Sequence, residues 1–188
     1  RSRRAARQAL AAVEASLRRA LGAAVYGADE ETLEGVVGRL FASRRLTLSL
    51  AESCTGGLIA CRLTDVPGSS RYVLGSVVAY HNDVKRRCLG VPAATLTRHG
   101  AVSAQAARRM AEGARRLSGA DVGMAVTGIA GPGGGTPRKP VGLVYLGLAD
   151  GRRTLSRRCQ CLGDRAAIRA QAVQLALDWL RRSLLTRR

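Results

Sequence analysis

This chain has few aromatic side chains, almost no lysine and no long apolar run. Aromatics make up 3% of its 188 residues, so a core must be built from Ala, Val and Leu. The 46% of hydrophobic residues is enough for that in a chain of this length. No stretch approaches the roughly 18 apolar residues of a membrane span. The N-terminus shows no apolar segment or cleavage site of a signal peptide, and no initiator Met, so the chain is expected to be part of a longer one. Five cysteines (Cys54, Cys61, Cys88, Cys159 and Cys161) form an odd set without a C-x-x-C pair. That pattern argues against a disulfide framework and against a zinc site, and points to the reducing cytoplasm. Cys159 and Cys161, two apart on an expected strand, share a face and read as small buried hydrophobes.

The formal charge is +18, yet only Lys85 and Lys139 are lysines, which leaves 29 arginines. Arginine is spread over ordinary helix surfaces, as a composition bias would spread it. A basic surface attracts phosphates, but the sequence holds no helix-turn-helix, zinc finger or basic stripe interleaved with aromatics. Nucleic acid is therefore not the expected partner. The bias makes the two lysines informative. Arginine supplies charge but cannot act as a base, so a position that stays lysine either needs a removable proton or has survived by chance. Composition alone leaves both readings open.

Leu10, Val13, Leu17 and Leu21 trace the stripe of an amphipathic helix that Gly22 and Gly27 end. Asp29 reads as the N-cap of a second helix, with Glu30 and Glu31 in its first turn and Leu33, Val36, Val37, Leu40 and Phe41 on its buried face. Residues 46–51 read as a strand and residues 58–63 as a helix. A strand follows at 73–80, a short helix at 83–88, and a helix at 103–117 with Ala107, Met110, Ala114 and Leu117 inward. Residues 122–126 read as a buried strand. Residues 128–140, with five glycines and three prolines, are too glycine-rich for regular structure. Two further strands, 141–148 and 152–161, flank the hairpin signal Asp150-Gly151, and a last helix runs from the Asp164 cap to about Leu184. Strands alternating with helices, plus one hairpin, predict a three-layer α/β/α sandwich with a mixed sheet.

Ser53 follows one strand directly and precedes a helix, in Glu52-Ser53-Cys54-Thr55-Gly56-Gly57. A tight polar turn of this kind offers backbone N–H groups to an anion and sets the serine where open α/β sheets bind ligands. A bare N-cap serine has the same sequence signature. The choice between nucleophile and cap depends on Tyr80, at a strand end, and Lys85, a little over one helical turn beyond it. A serine attacks an amide only when a neighbour takes its proton. Lysine can do so when neutral, at a cost of about 4–5 kcal/mol at pH 7 unless burial or positive charge lowers its pKa. A tyrosine between the two could relay the proton. The other candidate bases are His81 and His99, the only histidines; His99 reads as a turn residue.

The loop Thr127-Gly128-Ile129-Ala130-Gly131-Pro132-Gly133-Gly134-Gly135 follows a buried strand. Glycines let the main chain approach a ligand closely and present successive N–H groups to an anion. The loop joins Ser53 at one sheet edge if the two strands run parallel. Arg165, opening the last helix, could add a charged fork to a phosphate. Thr55, Gly56, Gly128 and Gly131 are thus candidate substrate-binding positions.

These segments, with Tyr80-His81-Asn82, Leu89-Gly90-Val91, His99-Gly100-Ala101-Val102-Ser103 and Lys139-Pro140-Val141-Gly142, resemble the CinA C-terminal domain, the PncC nicotinamide-nucleotide amidase family. The resemblance spans about Leu46 to Arg165 with the motifs in order. It implies a five-stranded mixed sheet, no cofactor, a homo-oligomer, and hydrolysis of nicotinamide mononucleotide to nicotinic acid mononucleotide and ammonia. It implies Ser53 as nucleophile, activated by Tyr80 and Lys85, with Ser70, Thr127 and Arg165 at the substrate. It also implies that residues 1–28 are a link to a preceding molybdopterin-binding-like domain and that residues 29–188 form the amidase-like domain. His81 and Leu162 depart from the family pattern, which has serine and an aromatic there. A non-catalytic nucleotide-binding or assembly module of a competence or DNA-damage protein is the alternative reading.

Overall fold

The computed structural model describes residues 3–186. Its elements run in chain order α1 (Arg3–Leu21), a 3-10 turn (Gly22–Ala24), α2 (Leu33–Ser43), β1 (Leu48–Glu52), α3 (Leu58–Thr64), a 3-10 turn (Ser69–Arg71) and β2 (Val73–Val78). Then follow α4 (Asn82–Arg87), α5 (Ala93–His99), α6 (Ala104–Ser118), β3 (Val122–Gly128), β4 (Leu143–Ala149), β5 (Thr154–Gln160) and α7 (Arg165–Thr186). The five strands form one sheet in the order β2-β1-β3-β4-β5. β1 pairs in parallel with both β2 and β3, while β4 and β5 run antiparallel. The expected mixed α/β sandwich is therefore present.

Two apolar layers hold it together. Leu48, Leu50, Met124, Val126 and Leu146 pack under α2, α3 and α7, against Phe41, Ile59, Leu63, Val173, Leu177 and Leu180. On the other face Ala51, Ala125 and Ala149 meet Met110, Ala111 and Ala114 of α6, with Leu89 and Val91 closing the side. With alanines on both surfaces, α6 lies very close to the sheet. A Cβ on Gly123 would stand 2.1 Å from the Ala111 carbonyl oxygen, and one on Gly147 2.1 Å from that of Ala107. Only glycine permits so near an approach.

Four expectations need correction. The α2 cap is Thr32, whose hydroxyl accepts from Gly35 N at 3.2 Å. Asp29 instead sits in the preceding turn at φ 51°, and Glu31 accepts from Ala28 N at 3.1 Å and pairs with Arg39. Leu117 is 59% exposed, because the last turn of α6 runs past the sheet edge, where Arg115 lies against Gly123. His99 is not a loop residue but the last residue of α5, a helix the sequence reading missed. The fourth and fifth strands begin two residues later than expected, with Arg152 and Arg153 left in the hairpin turn. α1 forms as expected, but all its residues are exposed. The chain after it is pinned by Arg181, which is buried, pairs with Asp178 at 2.7 Å and donates to the carbonyls of Ala23 and Val25.

Candidate active site

Because β1 and β3 are parallel neighbours, the turn after Glu52 and the loop after Gly128 emerge at the same sheet edge. The chain leaves β1 for β2 on one side and leaves β3 for β4 on the other, which opens a crevice between the C-terminal ends of β1 and β3. Ser53 stands there, 8% exposed, its N–H donating to the Val126 carbonyl at 2.9 Å.

α4 brings Lys85 to it. Lys85 is 1% exposed, and its Nζ donates to Ser53 Oγ at 3.2 Å, to the Ala79 carbonyl at 2.7 Å and to the Tyr80 carbonyl at 3.2 Å. Among the described residues no carboxylate pairs with it. Burial lowers the lysine pKa, and the nearby Cys54 acts in the opposite direction. Cys54 itself is pushed up to about 12 by burial, so it is a neutral thiol and not a rival nucleophile.

Neither histidine serves Ser53. His81 is exposed and caps α4, its Nδ1 accepting from Asp83 N at 3.2 Å, which is the capping work a serine would do there. His99 lends its carbonyl to Lys139 Nζ at 2.7 Å. Lys139 also donates to the Val102 carbonyl at 2.8 Å, so this second lysine ties the glycine-rich loop to the segment before α6.

The N–H groups at the start of α3 are taken by the chain itself. Glu52, fully buried, accepts from Gly57 N at 3.0 Å, Ile59 N at 3.1 Å and Ala60 N at 2.9 Å, with the Ser76 hydroxyl at 3.4 Å. The expected anion at the N-terminus of α3 is thus an internal carboxylate, not a substrate group. Glu52 holds the turn that carries Ser53, a role that sequence alone did not show.

Tyr80 and Arg165 meet over this edge. Arg165 Nη2 donates to the Tyr80 hydroxyl at 2.7 Å and its Nη1 to the Gly131 carbonyl at 2.8 Å. The Tyr80 ring is exposed, and its hydroxyl contacts Arg165 and not Ser53. One turn along α7, Arg169 Nη2 donates to the Thr55 carbonyl at 2.9 Å. Arg169 was missed in the sequence because it is one arginine among 29. Thr127, buried, donates its hydroxyl to the Ala101 carbonyl at 2.9 Å and so braces the β3 end. Gly56, Gly128 and Gly131 lie at the same edge. Ser70 does not: it is exposed in the 3-10 turn that leads into β2, at the opposite edge of the sheet. Leu162 is 72% exposed, and its main chain bonds the Gln171 side chain of α7.

The fold and this edge define an α/β/α sandwich with a serine and a buried lysine at the C-terminal ends of its parallel strands. The sequence pattern of the CinA C-terminal domain matches residues 30–184, and the chain belongs to that family. It is 53% identical over 170 residues to a CinA-like protein of Geobacter sulfurreducens, covering 90% of this chain and 41% of that protein. It is 50% identical over 169 residues to a CinA-like protein of Dictyoglomus thermophilum, again 90% and 41%. The chain thus spans about two fifths of the length of these curated relatives. The crystal structure of a competence/damage inducible protein from Agrobacterium tumefaciens superposes with a TM-score of 0.79 at 45% identity, covering 86% of this chain and 99% of that one. That of the competence damage-inducible protein A from Klebsiella pneumoniae gives 0.80 at 35% identity, covering 83% and 97%.

Proposed function

We propose that the domain hydrolyses the carboxamide of nicotinamide mononucleotide through Ser53 and Lys85, releasing ammonia. The observation that carries this reading is the lysine-serine contact: an amine, buried without a counter-ion, within hydrogen-bond reach of a hydroxyl. Neutral Lys85 takes the Ser53 proton as Oγ attacks the amide carbon. The same proton then passes to the departing nitrogen, which leaves as ammonia and an acyl-serine remains. Water attacks the acyl carbon, Lys85 takes one of its protons, and Ser53 recovers a proton as the acid is released. The cycle consumes one water per amide and needs no metal, and among the described residues no cluster of metal-ligating side chains occurs.

Arg165 and the main chain around Gly131 are assigned to the phosphate of the nucleotide, and Tyr80 to the rim over the pyridine ring. Direct contact between Lys85 and Ser53 leaves no gap for a tyrosine relay. Ser70 has no part in the site of a single chain. Residues 1–28 are assigned to a link and not to the catalytic unit, since α1 buries none of its side chains.

The test is release of ammonia from nicotinamide mononucleotide by the purified domain, with Ser53→Ala as control and with chelator present. Release that Ser53→Ala abolishes and chelator leaves intact is the expected result. Binding of the nucleotide without release, at micromolar enzyme, overturns the amidase reading in favour of a non-catalytic nucleotide-binding module.

A further inference from the structure

At the sheet edge opposite Ser53, the β4–β5 hairpin and the C-terminal half of α7 enclose a cavity of about 550 Å³. That volume suits a nucleotide-sized ligand. Four arginines converge on it, Arg152, Arg153, Arg157 and Arg182, and Asp150 is the one acid in its lining. Arg18 with Glu14 and Arg109 with Glu112 are, by contrast, single exposed pairs within one helix. Here Arg182 is held by Asp178 at 2.6 Å and Arg153 lies 3.6 Å from Asp150. Arg157 has a ring and not a carboxylate as its neighbour: its guanidinium lies 4.6 Å over the centre of Trp179. A guanidinium held over a ring keeps its charge and its N–H donors for an oxyanion.

Guanidinium groups gathered in a concave surface focus a positive potential that an anion relieves. Leu148, Leu155 and Leu184 complete the wall, so one part of the cavity is cationic and another apolar. A second hollow of about 570 Å³ lies on the other side of the hairpin turn and shares Arg152 and Arg153, adding Arg115 and Arg116. The turn therefore presents two arginines between two basic hollows. A single phosphate would use only part of this arrangement; a chain of phosphates joined to a flat apolar group would use it all.

We propose that this cavity binds a nucleoside di- or triphosphate, with the phosphates on Arg152, Arg153 and Arg157 and the base against the leucine wall beside Trp179. The site is separate from Ser53 and stands whether or not the domain is an amidase.

Trp179 is the only tryptophan in the chain, so its fluorescence reports on this cavity alone. The experiment titrates the intact domain with ATP, inorganic tripolyphosphate and adenosine in about 150 mM salt, where non-specific attraction is largely screened. A saturable change with ATP is expected, with weaker binding of tripolyphosphate and little of adenosine. Arg152→Gln and Arg157→Gln, both at exposed positions, should each weaken ATP binding about tenfold, while Ser53→Ala leaves it unchanged. A flat titration overturns the proposal, and so does ATP binding that the two arginine variants do not alter. Tripolyphosphate binding as tightly as ATP would remove the nucleoside from the site.

Discussion

Lys85 Nζ is 3.2 Å from Ser53 Oγ, and its other two hydrogen-bond partners are main-chain carbonyls that can only accept. A neutral lysine has two N–H bonds and one lone pair. With Ala79 and Tyr80 taking the two N–H bonds, the lone pair is left facing the serine hydroxyl. The local backbone thus orients the amine as a base whenever it loses its proton.

Lys85→Arg tests this. The guanidinium keeps the charge but gives up no proton at usable pH. Ser53→Ala and Lys85→Arg should each lower turnover on the order of a thousandfold, and the double variant should be little worse, because the pair acts as one unit. Lys139→Arg, at a lysine that only ties loops together, is the control and should retain turnover. A Lys85→Arg enzyme with near-normal kcat removes the lysine from the mechanism.

The lowered pKa of Lys85 makes a pH prediction whose sign can be fixed. Between the folded-state value and the higher ordinary lysine value, the unfolded chain binds the proton and the folded chain does not. Stability therefore rises with pH across that window and is lost as pH falls through the folded pKa. Cys54 opposes this: held up at about 12, it costs stability as pH climbs past the ordinary thiol range. The informative quantity is the difference between wild type and Lys85→Met, measured as denaturation midpoints over alkaline pH. The gain with pH should be smaller in the variant; parallel curves would show that Lys85 keeps its proton in the folded protein.

The sheet and most helices were legible because local patterns carried them: periodic apolar residues, the Asp150-Gly151 turn, the serine at a strand end. Ser53, Lys85 and the glycine loop stand out in the sequence for the same reason. Residues defined by long-range contact were not legible. Arg169 reaches Thr55 across 114 positions, and nothing near it in sequence marks that reach. Glu52 belongs to the same class, since a carboxylate at a strand end gives no sign that three amides will fold back onto it. Ser70 shows the converse error: motif resemblance carried it to the site, but its turn precedes β2 and lies at the wrong edge.

Glu52→Ala should therefore be among the most damaging changes in the chain. It leaves the amides of Gly57, Ile59 and Ala60 without their acceptor, that of Ile59 buried and the other two half-buried. Unsatisfied donors cost about 1–3 kcal/mol each, and partial relaxation of the turn brings the expected loss to roughly 3 kcal/mol. Glu52→Gln keeps the shape and one good acceptor and should lose less. Urea midpoints of the three proteins give the order; equal stability of wild type and Glu52→Ala would show that the turn holds itself.

Arg169 is the test of whether α7 shapes the site. It sits four residues after Arg165, so both side chains leave the same face of the helix. Arg165 holds the Gly131 carbonyl and the Tyr80 hydroxyl, and Arg169 holds the Thr55 carbonyl two residues past Ser53. The helix start thus ties the three segments that surround Ser53. Among the described residues Arg169 Nε and Thr55 Oγ1 are buried without a hydrogen-bond partner, so the hold on the turn rests on the Nη2 bond to the Thr55 carbonyl. Arg169→Ala should free the turn and lower kcat by about tenfold to a hundredfold, since a small displacement of a nucleophile is costly. KM should move little, because Arg169 reaches the turn and not the nucleotide. Arg169→Lys can still donate to the Thr55 carbonyl and should recover part of the loss. Arg165→Ala should show the reverse pattern, a raised KM with a smaller effect on kcat. If both variants instead raise KM alike with kcat preserved, Arg169 acts on the substrate's charge and not on the position of Ser53.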